Sequence, residues 1–574
     1  MAELSARGRR AALEDMARTP PEVLVIGGGI TGAGVALDAA ARGYRVGLIE
    51  RDDFASGTSS RSTKLVHGGI RYLPELDFAL VREALIERGR LLRNAPHLVH
   101  PLSFVLPLYD SSRRPVGLPV AVPGGVGLGL ILDAGLLLYD LLAGRENVAR
   151  HRRISAAETA KRARGLRPEG LKTGFIYSDA QTDDTRLTLA VLRSAAERGA
   201  LLASYAEAVG MLHEGERLVG VEVADRAPGT LGETWTIRAR HIVNATGVWA
   251  EEVERLAGDA TQLEIVPSKG VHLVFAREAL ALGDEAVVLP ETEDGRIIFI
   301  VPWQSSALVG TTDMRAERAD AGVADEREID YLLAHLNRFA RRLVTRDDII
   351  STFAGFRPLL KLRKRRTPAR LSRTHAVVEG EDGMLTVAGG KLTTYRQMAE
   401  DVLDRIEARE DRPATHPTRR LLLAGGEGLA ETRPAVLDRA RSLGLAGEIA
   451  GHLLRAHGAD ALGVLDLIAA DRTLGEPLVP GLPYLRAEVV RAVRAEQALT
   501  VEDVLARRTH VALEDRLRGV GAAEDVAALM ARELGWHEEE RQRQVCAYRR
   551  YALEQAGPLA SRLEAELAAA AGMD

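Results

Sequence analysis

The chain has a single cysteine, Cys546, among 574 residues. An internal disulfide is therefore impossible, and such sparse usage fits a reducing cytoplasm. No CxxC, HExxH or EF-hand loop occurs, so no metal site is expected. Lysine is scarce: seven of the 76 basic residues, which makes arginine the default cation and sets Lys64, Lys269 and Lys391 apart. Net positive charge is absent too. The formal charge is -5 with no basic stripe, which argues against a nucleic-acid partner. Residues 1–19 carry several charges and lack the apolar core of a signal peptide. No internal repeat is present.

An uninterrupted membrane-length apolar run is also missing. Residues 116–142 come closest, but Pro119, Pro123 and paired glycines break them, and the proline-free part contains Asp133 and Asp140. A carboxylate at mid-bilayer costs about 3 kcal/mol, so a spanning helix is not expected. The two acids are seven apart and share one face of a helix over 126–142, leaving the opposite face aliphatic. That pattern suits either a helix buried between domains or an interfacial helix that dips into a bilayer.

What the chain does have begins at residues 21–50, PEVLVIGGGITGAGVALDAAARGYRVGLIE. An apolar run, Val23–Ile26, reads as a buried parallel strand. Gly27-x-Gly29-x-x-Gly32 follows, then an alanine-rich helix, a second apolar run at Val46–Ile49, and Glu50. Strand, glycine turn, helix, strand and acid make a dinucleotide-binding unit. Gly27 permits the tight turn. Gly29 lets the backbone approach a pyrophosphate at the positive end of the helix dipole. Gly32 allows close packing of helix on strand, and Glu50 is placed to accept from a ribose diol. The next stretch, residues 54–73, reads FASGTSSRSTKLVHGGIRYL. It is rich in small donors and suited to line a long, extended flavin nucleotide rather than NAD.

With the segment KLVHGGIRYL at 64–73, the chain resembles the FAD-dependent glycerol-3-phosphate dehydrogenases, within the D-amino-acid-oxidase-like flavoproteins. Further motifs carry the resemblance in order: NATGVWA at 244–250, Pro302-Trp303, GTTD at 310–313, AGFRPL at 354–359, GGKLTTYR at 389–396, and a helical stretch at 481–509. The resemblance implies an α/β fold with three parts. One is a Rossmann-like FAD domain of the glutathione-reductase type, using 21–93, 154–256 and 351–409. The second is an inserted antiparallel-sheet substrate domain, using 94–150 and 264–350. The third is a C-terminal α-helical domain, 412–574, whose amphipathic periods include 487–499 and 522–534. Residues 1–20 form an N-terminal extension, helical over 9–18, and Pro20-Pro21 separates it from the first strand. A chain this long needs more than one core in any case.

The implied activity is oxidation of sn-glycerol 3-phosphate to dihydroxyacetone phosphate with non-covalent FAD. The implied acceptor is a membrane quinone, reached by peripheral attachment at the inner face of the cell membrane. A homo-oligomer is left open. Such a site needs cations for a phosphate dianion, a base or cation near the C2 hydroxyl, and positive potential near flavin N1. Arg357, His272 and Lys391 are the candidate catalytic residues, with the proton acceptor itself left open. Arg71, Tyr72 and Arg373 are candidate substrate contacts. The resemblance assigns the flavin to Gly27, Gly29, Gly32, Glu50, Thr58, Ser59, Ser62, Lys64, His67, Gly68, Ala245, Gly247, Trp249, Gly390, Leu392 and Thr393. The basic run 361–366 departs from the family pattern and reads as a solvated loop. Other readings are an oxygen-using glycerol-3-phosphate oxidase, an amine or amino-acid oxidase, and an RNA-modifying flavoprotein. No extra insertion within the catalytic region is evident, which favours quinone over oxygen.

Overall fold

A computed structural model of the chain describes residues 4–112, 126–230, 232–258, 263–289, 292, 296–312, 314–316, 319, 322–362 and 375–571. The nucleotide unit forms as its hydrophobic pattern dictates. Val23–Ile26 and Val46–Ile49 are fully buried strands, paired in parallel with Val23 opposite Val46. The helix Ile30–Ala41 crosses between them and is buried along nearly its whole length, which is why its residues are small. Among the described residues six strands make this sheet, in the order Ala376–Glu379, Leu385–Ala388, His241–Asn244, Val23–Ile26, Val46–Ile49, Leu201–Ala203. Ile30–Ala41 packs against the helices Asp184–Ala196 and Tyr395–Arg409.

A larger sheet holds ten strands among the described residues. Its pairings are antiparallel except for Ala286–Val288 against His100–Tyr109. Its longest pairing joins Leu263–Ala276 to Ile349–Leu362. Membership of this sheet differs from the expected boundaries in three places. Leu171–Gln181 and Ile349–Leu362, both expected in the flavin domain, pair here instead. Their partners lie far away in sequence, so no local pattern marks the switch. The short strand Leu65–Val66 joins the same sheet, opposite Gln181 and Ala180. The stretch 54–73 therefore runs through the edge of the large sheet.

The N-terminal helix Gly8–Arg18 is docked rather than loose. It buries Leu13 and Met16, and Arg9 pairs with buried Asp225 at 2.7 Å. The C-terminal part is helical, with Arg486–Ala495 and Ala523–Leu534 closely matching the expected periods. It has its own apolar core around Leu453, Leu465, Val493 and Val526.

The apolar segment forms a helix, Val126–Ala143. Leu128, Leu132, Leu136 and Tyr139 bury one face against the large sheet. His151 bridges Asp140 at 2.7 Å and Asp133 at 3.3 Å on a second face. The third face exposes Leu130, Ile131, Leu137 and Leu141. One helix thus carries a buried aliphatic face and, on a different side, an exposed one. Among the described residues no helix is long and apolar enough to cross a membrane.

Candidate active site

One long cleft runs between the two sheets. Its nucleotide end is lined by Gly27, Gly29, Glu50 and Ser59, and its far end by Tyr72, His272, Arg357 and Lys391. At the near end backbone meets backbone too closely for any side chain. A Cβ on Gly32 would lie 1.9 Å from the Gly27 carbonyl oxygen, and one on Gly27 would lie 2.8 Å from that of Ala245. Gly27 also takes φ +112°, a conformation that L side chains rarely adopt. Gly29 caps the helix Ile30–Ala41, and the Ile30 amide donates to Ser59 Oγ at 2.9 Å. This is the amide-rich helix terminus that a pyrophosphate requires. Glu50 ends the second strand and accepts from the Gly28 amide at 2.6 Å and the Asp52 amide at 2.9 Å. Burial pushes its carboxyl up to about 7, against the pull of those two amides.

Further along, Trp249 and Gly247 line one wall, and the Arg51 guanidinium lies 4.5 Å from the Trp249 ring centre. Gly389 and Gly390 both take positive φ just before the turn Leu392–Thr394 and the helix Tyr395–Arg409. Thr393 Oγ1 accepts from the His67 amide at 3.2 Å, so the closing glycine motif and the HGG loop are tied together.

At the far end, Arg357 and His272 sit on the two paired strands of the large sheet, opposite Ser268 and Phe353 respectively. Arg357 donates to Thr311 Oγ1 at 2.8 Å and to the Thr312 carbonyl at 3.3 Å. His272 stacks on Phe353 with 4.7 Å between centroids, and its Nε2 lies 3.0 Å from Thr63 Oγ1. Burial holds its pKa down to about 3, helped by the nearby charges of Arg357 and Lys64. The imidazole is therefore neutral near pH 7. The Lys391 ammonium lies 4.0 Å from the centre of the Tyr72 ring, a cation–π contact that places both at the same end of the cleft.

A model of FAD-dependent oxidoreductases matches residues 22–396, and a model of the C-terminal domain of alpha-glycerophosphate oxidase matches residues 416–541. The glycerol-3-phosphate dehydrogenase of Mycobacterium leprae (strain TN) is 39% identical over 549 residues, spanning 95% of this chain and 90% of that protein. The chain belongs to the FAD-dependent glycerol-3-phosphate dehydrogenase family. The mitochondrial glycerol-3-phosphate dehydrogenase of Bos taurus, also similar, is 34% identical over 92% of this chain and 73% of its own. Among solved structures, the glycerol-3-phosphate dehydrogenase from Bacillus halodurans complexed with FAD superposes with a TM-score of 0.79. It is 30% identical, and the match covers 97% of this chain and 99% of that one.

The cofactor of this family is FAD, and the cleft fits it: a side-chain-free glycine cradle, a helix terminus, an acid for the ribose and a second glycine pair further on. Gly27, Gly29, Glu50, Thr58, Ser59, Ser62, His67, Ala245, Gly247, Trp249, Gly390, Leu392 and Thr393 all line the cleft. Gly32 serves the helix–strand crossing behind it. Thr58 also donates to the Phe356 carbonyl at 2.6 Å, tying the flavin loop to the Arg357 strand.

Two expected flavin contacts are placed elsewhere. Lys64 is fully buried, donating to Asp184 Oδ1 at 2.5 Å and to the Ser60 carbonyl at 2.6 Å. The same carboxylate receives the Ser62 amide and hydroxyl at 2.9 and 2.7 Å. Lys64 thus shapes the loop from behind. Gly68 packs where a Cβ would meet Leu85 at 2.4 Å and the Tyr139 hydroxyl at 2.5 Å, and its amide donates to Asp179. Lys269 pairs with Glu328 at 2.8 Å, and Lys361 with Glu264 at 2.8 Å. Arg373, Asp313, Arg113, Arg114 and residues 363–366 lie outside the described residues, as does the side chain of Arg71.

Sequence reasoning passed over Asp179, Phe104, Tyr177 and Phe299, which complete the cleft wall. Asp179 is the most consequential. Buried beside the cleft, it accepts from Arg88 at 2.7 Å, from Tyr139 at 2.8 Å and from the Gly68 amide at 3.1 Å. The available signal was an acid near the end of a mostly apolar strand, Leu171–Gln181. Glu400, Asp404 and His416 bring three ligating atoms together, but Arg396, Arg419 and Arg42 already bond the two carboxylates. That cluster is an ion-pair network.

Proposed function

We propose that this chain oxidises the secondary alcohol of sn-glycerol 3-phosphate to dihydroxyacetone phosphate and passes the electrons to a membrane quinone. The observation that carries the reading is the far end of the cleft. Two cations, Arg357 and Lys391, converge there on the same space as a neutral imidazole, His272, and the Tyr72 ring. A phosphate dianion calls for two or more cations, whereas an amino-acid carboxylate needs fewer. Lys391 supplies a point charge and Arg357 a planar fork.

When bound, FAD supplies the hydride acceptor for C2. The chain's own groups do the rest. Lys391 and Arg357 hold the phosphate end, with the Tyr72 ring beside Lys391. Arg357, oriented by Thr311 and Thr312, also stabilises negative charge on the adjoining C2 oxygen. His272, held by Thr63 and Phe353, keeps a neutral ring beside the hydroxyl. Peripheral attachment to a membrane is supported by the exposed aliphatic face of Val126–Ala143, with Leu76 and Phe78 also exposed on the turn and helix that pack against it.

Steady-state dye reduction tests the substrate. Glycerol 3-phosphate should be turned over at least about 100-fold more efficiently than glycerol, glycine, sarcosine or D-alanine, the roughly 3 kcal/mol that one pair of charge-assisted contacts provides. Equal activity on glycerol removes the phosphate site. Oxygen uptake that matches quinone reduction would turn the reading to an oxidase.

A further inference from the structure

The C-terminal helical domain reaches into the flavin domain with a set of buried charges that the chemistry above does not use. Arg508 grips Asp53 with both ends of its fork, Nη1 to Oδ2 and Nη2 to Oδ1, each at 2.7 Å. Arg507 adds Nε to Asp53 Oδ2 at 2.5 Å. All three side chains are at least 95% buried. Burial alone would raise the Asp53 carboxyl, but Arg508 and Arg507 reverse this and hold it below its usual range. The two arginines end a π-helical turn, Asp503–Arg508, a conformation frequently met at functional positions.

Asp53 is three residues beyond Glu50, and its turn shapes the nucleotide end of the cleft. The Asp52 amide donates to Glu50 Oε1, and the Ala55 amide donates back to the Gly28 carbonyl at 3.2 Å. The opposite side of that end is the chain leaving Leu201–Ala203, where Ala206 and Ala208 line the cleft beside Glu50 and Arg51. The C-terminal domain holds this side as well. Gln497 accepts from the Ser204 amide at 2.8 Å and its hydroxyl at 3.0 Å, and Asp503 accepts from Tyr205 Oη at 2.7 Å. The two sides are joined to each other by the Tyr205 amide on the Asp52 carbonyl and the Ala206 amide on the Glu50 carbonyl.

We propose that the C-terminal domain is a clamp on the adenine-nucleotide half of the flavin, with Asp53 and Arg508 as positioning residues that fix the turn carrying Glu50 and Gln497 as one that fixes the facing chain at Ser204. A hydrophobic interface would join two domains at least as stably as buried ion pairs do. What fixed, bidentate pairs add is geometry, and here that geometry is delivered to both walls of one binding site.

The test uses deflavinated full-length protein, titrated with FAD and with ADP, the latter reporting the nucleotide half alone. Asp53→Asn is expected to raise the Kd for both at least ten-fold and by similar factors. Arg508→Lys, which keeps the charge and loses the fork, is expected to fall between that variant and the parent. A role confined to domain cohesion would lower Tm and leave the ADP Kd unchanged. That result in folded Asp53→Asn overturns the proposal. Should Asp53→Asn not fold, Arg508→Lys and Tyr205→Phe decide: an ADP Kd within two-fold of the parent in both overturns it. These constants do not depend on which alcohol the enzyme oxidises.

Discussion

Replacing Leu130 and Leu137 together by Glu tests whether the outer face of Val126–Ala143 is a membrane contact. Four aliphatic side chains form that face: Leu130, Ile131, Leu137 and Leu141, exposed by 60, 39, 53 and 68%. Their exposed parts amount to about two whole side chains, worth about 3–6 kcal/mol if fully transferred to hydrocarbon. The double substitution removes about half of this, and the new carboxylates must be held out of the bilayer. Binding to vesicles should therefore fall by about 1.5–3 kcal/mol or more, which is roughly 10- to 150-fold. The fold should be indifferent, because the core contacts of this helix are Leu128, Leu132, Leu136 and Tyr139. The assay is co-sedimentation with anionic phospholipid vesicles beside quinone reduction in those vesicles, with a soluble dye as the control acceptor. Vesicle binding and quinone reduction should drop while dye reduction holds. A folded variant that binds vesicles and reduces quinone like its parent would refute the assignment of this face to a membrane. Lost dye reduction with a lowered Tm would show that the exposed leucines are needed for folding.

Gly32→Ala places a methyl 1.9 Å from the Gly27 carbonyl, so the strand and helix must part; colourless or insoluble protein is expected, and a yellow, stoichiometrically flavinated variant would contradict the crossing geometry. Arg357→Ala removes a charge-assisted contact worth about 1.5–3 kcal/mol, so kcat/KM should fall about 10- to 150-fold or more with flavin still bound. His272 is protonated in the unfolded chain below about 6.5 but in the folded protein only near about 3. Its contribution to stability is therefore present above that upper value and lost as pH falls through the window, at about 1.4 kcal/mol per pH unit. His272→Asn should flatten the acid limb of a denaturation series between pH 6 and pH 4 by up to that slope, and an identical limb would mean that the buried imidazole is already charged.

The nucleotide unit was readable because it is local. Strand, turn, helix and strand follow within 30 residues, and the crossing that requires Gly32 is set by Gly27, five residues before it. The same held for the helix at 126–143 and for the helical periods after 412, where periodicity alone suffices. Residues whose partners are remote were not readable. Lys64 lies in a motif that suggested a cofactor contact, yet its partner Asp184 is 120 residues away and draws it behind the loop. Asp53 and Arg508 are 455 residues apart, and nothing near either announces the pair. The crossing of Leu171–Gln181 into the substrate sheet was hidden for the same reason. A buried strand reads alike whichever sheet receives it.

The state of His272 bears on how the alcohol proton leaves. Burial is the first cause of its low pKa, ahead of the charges on Arg357 and Lys64. A dianionic phosphate brought to Arg357 and Lys391 would offset the charge on Arg357, but it would leave the burial in place. The ring therefore stays a weak base with substrate bound. It is far too weak to ionise a secondary alcohol in advance of the redox step. On the proposed reading, the hydroxyl proton must instead shift towards His272 as the hydride leaves C2, when the growing carbonyl character makes that proton acidic. Arg357 is most useful at that moment, because its guanidinium is already fixed by Thr311 and Thr312 and needs no reorganisation to meet the charge on oxygen. The division of labour follows from which effect is larger. A buried imidazole held neutral can receive a proton late, and a pre-oriented cation makes waiting until then possible.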